Sequence, residues 1–278
     1  MRGATSLGPA GEESRHTTPR NKGRSAEQAP EKGEKGPVGG GAGDPFARLA
    51  PIYDRIFPQV VPKYEEALDL LVALIPYPQD AEIRVAELGC GTGEVLRRLA
   101  QAFPRAEIVG VDVSEAMLEV ARTKLSPFAP RVRVLRHDLS DGWPQELGPC
   151  HAVVCPYVLE YLAPEAQRKL LEAAFSNLQP GGQLLTIEFL AAEEPRINQV
   201  FRSLEYRLIS DAVAKRRVSE EELAVLTDLA EKGPRRYAVP WNHRLEMMRQ
   251  VGFRRVSTAW QFLNFVLVVA TRSTGAEE

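Results

Sequence analysis

The sequence predicts an α/β domain on a doubly wound, mostly parallel sheet of seven strands. Three observations carry that prediction. Short strand-like runs alternate with amphipathic segments of crossover-helix length between residues 83 and 190. The turn Gly89-Cys90-Gly91-Thr92-Gly93 follows the first of these runs. The runs Arg255–Trp260 and Phe265–Thr271 lie too close for a helical crossover, so they pair antiparallel.

Taken in order, the first 44 residues hold ten glycines and four prolines, and only Met1, Leu7 and Val38 are large and apolar. Such a segment cannot bury enough surface to offset its chain entropy, so 1–44 reads as a disordered tail and 45–278 as the folded domain. Gly39–Gly43 is a flexible junction. The tail's mixed charges do not suit a nucleic-acid-binding arm. Pro62 suits the first position of a helix that buries Tyr64, Ala67, Leu68, Leu71 and Ile75. Ile83–Leu88, Ile108–Val113, Val132–Leu135, Ala152–Cys155 and Leu184–Leu190 read as strands. Between them, Glu94–Phe103, a helix begun by Ser114, and Pro164–Leu178 read as helices, the last stopped by Pro180-Gly181-Gly182. Residues 191–241 read as a mostly helical insertion with nine Lys/Arg and nine Asp/Glu. Asn242–Val251 is a final helix, ended by Gly252.

Composition excludes several classes. The net charge of −2 gives no general pull toward nucleic acid or anionic lipid. The clean apolar run Phe265–Ala270, as long as any in the chain, falls far short of the roughly 20 residues of a membrane helix. Three cysteines, Cys90, Cys150 and Cys155, make no disulfide framework and fit reduced thiols in a cytoplasm. With His151 they lack the spacing of a zinc site, so no metal is expected.

The glycine loop carries the chemistry. Glycines let the backbone turn sharply and approach a ligand, and the following helix offers free N–H groups. A pyrophosphate site wants G-x-G-x-x-G/A, and here Glu94 or Leu96 stands at the last position. No Gly-Lys-Ser/Thr follows, so the P-loop pattern fails too. A ligand without phosphates fits better. Asp112, followed by Val113, closes the second strand 19 residues after Gly93 and could accept both hydroxyls of a ribose. After the third strand, Asp138 could accept from an adenine amine and Leu139 could pack on the ring. An Asp after a strand is more commonly a cap or turn residue. Three such features, one after each of the first three strands, point to a nucleoside.

These residues resemble the class I S-adenosylmethionine-dependent methyltransferases. Glu87 to Gly93 resembles the first motif of that family, and Asp112, Asp138-Leu139, Ala152–Cys155 and Leu178-Gln179-Pro180-Gly181-Gly182 follow in its order. The resemblance implies a Rossmann-like sheet with its last strand inserted antiparallel, S-adenosyl-L-methionine as cofactor, and an enzyme. Phe57-Pro58, Val61-Pro62-Lys63-Tyr64, Trp260-Gln261 and Asn264-Phe265 also resemble the carboxy-S-adenosylmethionine synthase branch, which serves tRNA wobble-uridine modification. That likeness implies a cofactor contact at Tyr64. The branch has an Asn where this chain has Pro156, and an Arg near Thr227–Ala230, where none stands; Arg235 or Arg236 could substitute.

By this resemblance Glu87, Gly89, Cys90, Gly91, Gly93, Asp112, Val113, Asp138, Leu139, Pro156, Tyr157 and Tyr64 form the cofactor site. Tyr53 and Tyr64 close over it, or simply pack in the core. The acceptor is expected to be a small molecule walled by the N-terminal helices and the insertion. Glu160, Tyr161, Glu188, Trp241 and His243 could touch it, although His243 fits a helix's first turn equally well. Lys215-Arg216-Arg217 and Arg235-Arg236 could grip phosphate, or lie on a solvated helical face. Carboxy-cofactor synthesis, RNA methylation and non-catalytic cofactor binding are the alternative functions.

Overall fold

The computed structural model describes residues 44–233 and 236–274. Residues 1–43 of the tail expected over 1–44, the Gly39–Gly43 junction and Arg235 lie outside the described residues. The described chain runs α1 (Tyr53–Val60), α2 (Tyr64–Ala73), β1 (Arg84–Leu88), α3 (Glu94–Ala102), β2 (Glu107–Asp112), α4 (Glu115–Leu125), β3 (Val132–Arg136) and β4 (Cys150–Pro156). It continues through α5 (Pro164–Asn177), β5 (Leu178–Phe189), α6 (Pro195–Ala214), α7 (Glu220–Lys232), α8 (Trp241–Val251), β6 (Arg254–Phe262) and β7 (Phe265–Thr271).

The seven strands order as β3-β2-β1-β4-β5-β7-β6. The first five are parallel, and β7 runs antiparallel to both its neighbours, as expected. The strand order reverses between β1 and β4. In open α/β sheets ligands bind outside the strands' carboxyl ends at such a switch point.

Two apolar layers clamp the sheet. Leu68 and Leu71 of α2, Leu96 and Leu99 of α3 and Leu118 of α4 bury on one face. Leu170 and Leu171 of α5 and Met247 and Met248 of α8 bury on the other. Each fully buried side chain of this size contributes about 1.5–3 kcal/mol. A third, smaller cluster joins Leu49, Ala50 and Ile56 at the cap to Met117 of α4. Ser114 caps α4 by accepting from the Met117 N–H, as its sequence position predicts.

Three expectations need correction. Pro62 is not the first residue of a helix: α2 starts at Tyr64, after Lys63 in a left-handed conformation. A separate helix, α1, precedes it and carries Pro58 within it. The strand expected over Leu184–Leu190 begins earlier, at Leu178. Leu178 already pairs with Cys150, and the register then shifts so that Gln183 faces Ala152. The Arg272 backbone closes the irregular start by exchanging hydrogen bonds with Gly181 and Gly182. Asp44, placed in the tail by composition, belongs to the body, because its carboxylate accepts from the Ser114 hydroxyl at 2.6 Å.

Candidate functional site

The turn after β1 puts three glycines in left-handed backbone, with φ of 69° at Gly89, 51° at Gly91 and 78° at Gly93. A side chain at Gly89 would also drive into Val158, so only glycine suits that position. At Gly91 a Cβ would meet open space. The sequence places glycines where the chain must turn from strand to helix within five residues.

Asp112 at the end of β2 ties this turn down. One carboxylate oxygen accepts from the Gly91 N–H at 2.8 Å and the other from the Ser114 N–H at 2.9 Å. Burial raises its pKa, and those two N–H groups oppose the rise. Both oxygens thus have a structural duty, and ribose hydroxyls would have to use the remaining lone pairs. Glu87, one residue before the end of β1, is 1% exposed and its Oε2 has no partner. Burial and then the Asp112 charge push its carboxyl well above the ordinary range, while the Leu96 N–H and Lys124 pull it down. A buried carboxyl oxygen without a donor is costly and calls for a ligand N–H or O–H.

Asp138 caps the short turn after β3 by accepting from the Ser140 N–H at 2.9 Å, the bland role weighed for it above. Leu139 beside it is 9% exposed, and Val113 is half-buried with its carbonyl accepting from Arg136. Cys90 is a buried thiol whose pKa burial raises, so it packs rather than reacts.

A latch outside the motif reaches this loop. The Thr92 hydroxyl donates to Asp54 of α1 at 2.6 Å, and Lys124 of α4 pairs with Asp54 at 2.6 Å. Sequence reading missed both Asp54 and Lys124, because neither carries a motif.

Aromatic rings cover the switch point. Tyr53 stacks on Phe57 with centroids 3.9 Å apart, and Tyr64 stacks on Tyr157 at 5.8 Å. Tyr157 follows Pro156, the buried last residue of β4, in left-handed backbone, and its buried hydroxyl has no partner. Burial raises the pKa of all three tyrosines, so they stay neutral phenols. The Tyr53 phenol feels Tyr64, Tyr161, Tyr157 and Asp112, which places it between the glycine loop and the segment after β4.

That segment holds Glu160 and Tyr161. Glu160 is 5% exposed, its Oε2 is unpartnered, and burial pushes its carboxyl up to about 7 against the pull of Arg236. The Arg236 guanidinium lies 5.3 Å from the Tyr161 ring centroid and donates to its hydroxyl at 2.9 Å. Arg236 is exposed, as a solvated charge would be, and these two contacts anchor it on Tyr161. Phe46 meets the Tyr161 ring edge-on at 6.0 Å.

Of three other expected acceptor contacts, two are engaged elsewhere and one faces solvent. Glu188 pairs with Arg244 at 2.6 Å, both 1% exposed, and takes the Thr186 hydroxyl at 2.7 Å. Trp241 is half-buried against the core and donates to Thr258 at 3.0 Å. His243 is exposed in the first turn of α8. Arg244, which the sequence reading passed over, also donates to Gln167 at 2.6 Å. The available signal was an arginine three and four residues before Met247 and Met248, on the apolar face of its helix.

Residues 85–182 match the family described as a methyltransferase domain. The chain is 25% identical to the carboxy-S-adenosyl-L-methionine synthase of Nautilia profundicola, over 80% of this chain and 91% of that protein. It is 29% identical to the protein of the same name from Wolinella succinogenes, over 81% of this chain and 91% of the relative. Among solved structures, PigF with SAH aligns at a TM-score of 0.55 and 17% identity, covering 81% of this chain and 58% of PigF. The chain spans 55% of another solved match, the methyltransferase SibL in its apo form, which aligns at a TM-score of 0.52 and 20% identity over 75% of this chain. The sheet order, the glycine turn and these matches define a Rossmann-like methyltransferase fold. Residues 85–182 carry the methyltransferase domain, and the likeness to S-adenosylmethionine-dependent enzymes extends over about four-fifths of the chain at 25–29% identity.

Proposed function

We propose that this protein transfers a methyl group in line to a small-molecule acceptor held under its aromatic roof. The observation that carries the reading is the unmet buried oxygen of Glu87 near the end of β1, followed by a turn in which Gly91 faces open space. A donor-rich, phosphate-free amino-acid and nucleoside ligand fits that pair. Glu87 would take the cofactor's amino group, the Gly89–Gly93 backbone would pass beneath its methionine portion, and Asp112 with Val113 would hold the ribose. Asp138 and Leu139 would frame the adenine, and Tyr64, Pro156 and Tyr157 would border the reacting end.

When bound, S-adenosylmethionine supplies an electrophilic methyl on a sulfonium whose positive charge disappears as the methyl leaves. The chain's part is to align the partners and exclude water. Alignment alone can be worth on the order of 7–11 kcal/mol in the best cases. The neutral tyrosines at 53, 64 and 157 give that reacting end a dry aromatic lining. Asp54, Thr92 and Lys124 hold the cap across it.

The second reading, synthesis of the carboxylated cofactor, is favoured by the names of relatives aligned over four-fifths of the chain. Against it, Pro156 stands where an Asn is expected, and Thr227–Ala230 lies on α7 without an arginine. The test is mass spectrometry of small molecules released from the purified, denatured protein, with titration of cofactor where none co-purifies. S-adenosylmethionine or S-adenosylhomocysteine near one equivalent supports methyl transfer. The carboxylated form would replace that reading with the second. Failure to bind either on titration would sink both.

A further inference from the structure

Beside the cofactor cleft lies a group of side chains that methyl binding does not use. Glu160, Tyr161 and Arg236 have been placed above. Glu205 of α6 joins them: it is half-buried, its Oε1 has no partner, and its carboxyl feels Arg236. The Tyr237 N–H donates to the Glu160 carbonyl at 2.6 Å, so the strand-like stretch before α8 is fastened to this segment. The group is built from the insertion, the turn after β4 and Phe46 of the cap.

The polar count decides which ligand suits it. Two carboxyl groups each keep an oxygen without a donor, and Arg236, Arg202 and Arg244 act on them through charge alone. What these two oxygens lack is therefore an N–H donor within hydrogen-bond reach. An anionic ligand would face two unmet acidic oxygens. A cation also gains from aromatic faces, and the Arg236 guanidinium over the Tyr161 ring marks this point as one that suits positive charge.

We infer that Glu160, Glu205 and Tyr161 form an amine-binding acceptor subsite, with Glu160 Oε2 receiving the proton that the amine gives up. The inference rests on the methyl-transfer reading above and names its substrate class. An ammonium that enters hands one proton to Glu160 Oε2. Its freed lone pair forms the new N–C bond to the methyl, while the old C–S bond breaks and its electron pair stays on the departing sulfur. Glu160 then returns the proton to water as product leaves. Arg236 acts as a positioning residue, holding the Tyr161 ring and opposing neutralisation of the two carboxyls.

The charge on Glu160 answers to everything packed around it. Arg236 and Arg244 favour ionisation, Glu188 opposes it, and the phenols of Tyr157 and Tyr161 and the Cys155 thiol lie within its field. With its carboxyl at about 7, amine binding should strengthen as pH rises from 6 to 8.

The test uses the full chain saturated with S-adenosylhomocysteine and ligand-observed NMR titration with benzylamine, benzyl alcohol and benzoate at millimolar concentration. Benzylamine should bind at least tenfold more tightly than benzoate, and more tightly at pH 8 than at pH 6. Glu160→Gln should weaken benzylamine at least tenfold and flatten its pH dependence. S-adenosylhomocysteine affinity should stay within twofold, which reports that the variant is folded. Tighter binding of benzoate, no binding of benzylamine, or an unchanged Glu160→Gln profile would overturn the amine subsite alone. Failure of the wild-type chain to take up S-adenosylhomocysteine would instead overturn the methyl-transfer reading on which it rests.

Discussion

The two sides of the switch point are built by different means. On the β1–β2 side the work is done by backbone: three left-handed glycines, two N–H groups and the Asp112 carboxylate that holds them. On the β4–β5 side it is done by side chains from distant segments. Arg236 meets Tyr161 across 75 residues, and Arg244 meets Glu188 across 56. A backbone site tolerates little change at its turn, because the conformation itself is the site. A side-chain site depends on partners and fails when one of them is removed.

The comparison breaks most sharply at the buried ion pair. Arg244→Met alone leaves Glu188 buried and unpaired and should cost about 3–5 kcal/mol in urea unfolding. Arg244→Met with Glu188→Leu should recover most of that loss, since similarly sized apolar pairs commonly replace buried ion pairs at no net cost. If the single and double variants lose equal stability, the pair is not the unit that holds α8 to β5.

Glu160 sharpens the contrast through pH. Its folded carboxyl sits at about 7 against an ordinary value of 4.5, so the folded state holds the proton more tightly than the unfolded chain. The stability this contributes is fully present below about pH 4.5 and is lost as pH rises through about 7. The wild type should therefore lose up to about 3 kcal/mol relative to Glu160→Gln between pH 4.5 and 7.5. Denaturant midpoints for both proteins across that range measure it, and parallel curves would show that Glu160 titrates normally.

On the backbone side, Gly89→Ala should cost about 1–3 kcal/mol from the left-handed φ, and more from the contact with Val158. It should also abolish S-adenosylhomocysteine binding by calorimetry, although the substituted residue bears no polar group. Retained binding would show that the turn yields more than its geometry implies. The smallest effect is expected at the latch. Asp54→Asn weakens its links to Thr92 and Lys124 and should cost about 0.5–1.5 kcal/mol. Stopped-flow release of S-adenosylhomocysteine should then quicken several-fold, and an unchanged rate would detach the cap from ligand exchange.

The same contrast explains what could be read beforehand. The glycine turn and the strand–helix alternation are local, so spacing alone exposes them. β7 could be paired with β6 because a short connection leaves no other choice. Local rules failed where the chain departs from regular elements. Pro62 precedes its helix, and the Pro180-Gly181-Gly182 segment joins β5 because β7 reaches it from the far end of the chain. Glu188 looked available as an acceptor contact only because Arg244, its partner, lies on another element.

By itself the sequence determined the α/β class, the order of elements and a sharp glycine turn after β1, because hydrophobic period and glycine geometry act over a few neighbouring residues. The tertiary structure alone decided which acids are satisfied and which are not. It pairs Glu188 with Arg244, gives Asp112 to two backbone N–H groups, and leaves Glu87, Glu160 and Glu205 each with an unmet oxygen. A carboxylate's chemistry depends on burial and on donors within about 3 Å, and folding brings those donors from residues tens of positions away.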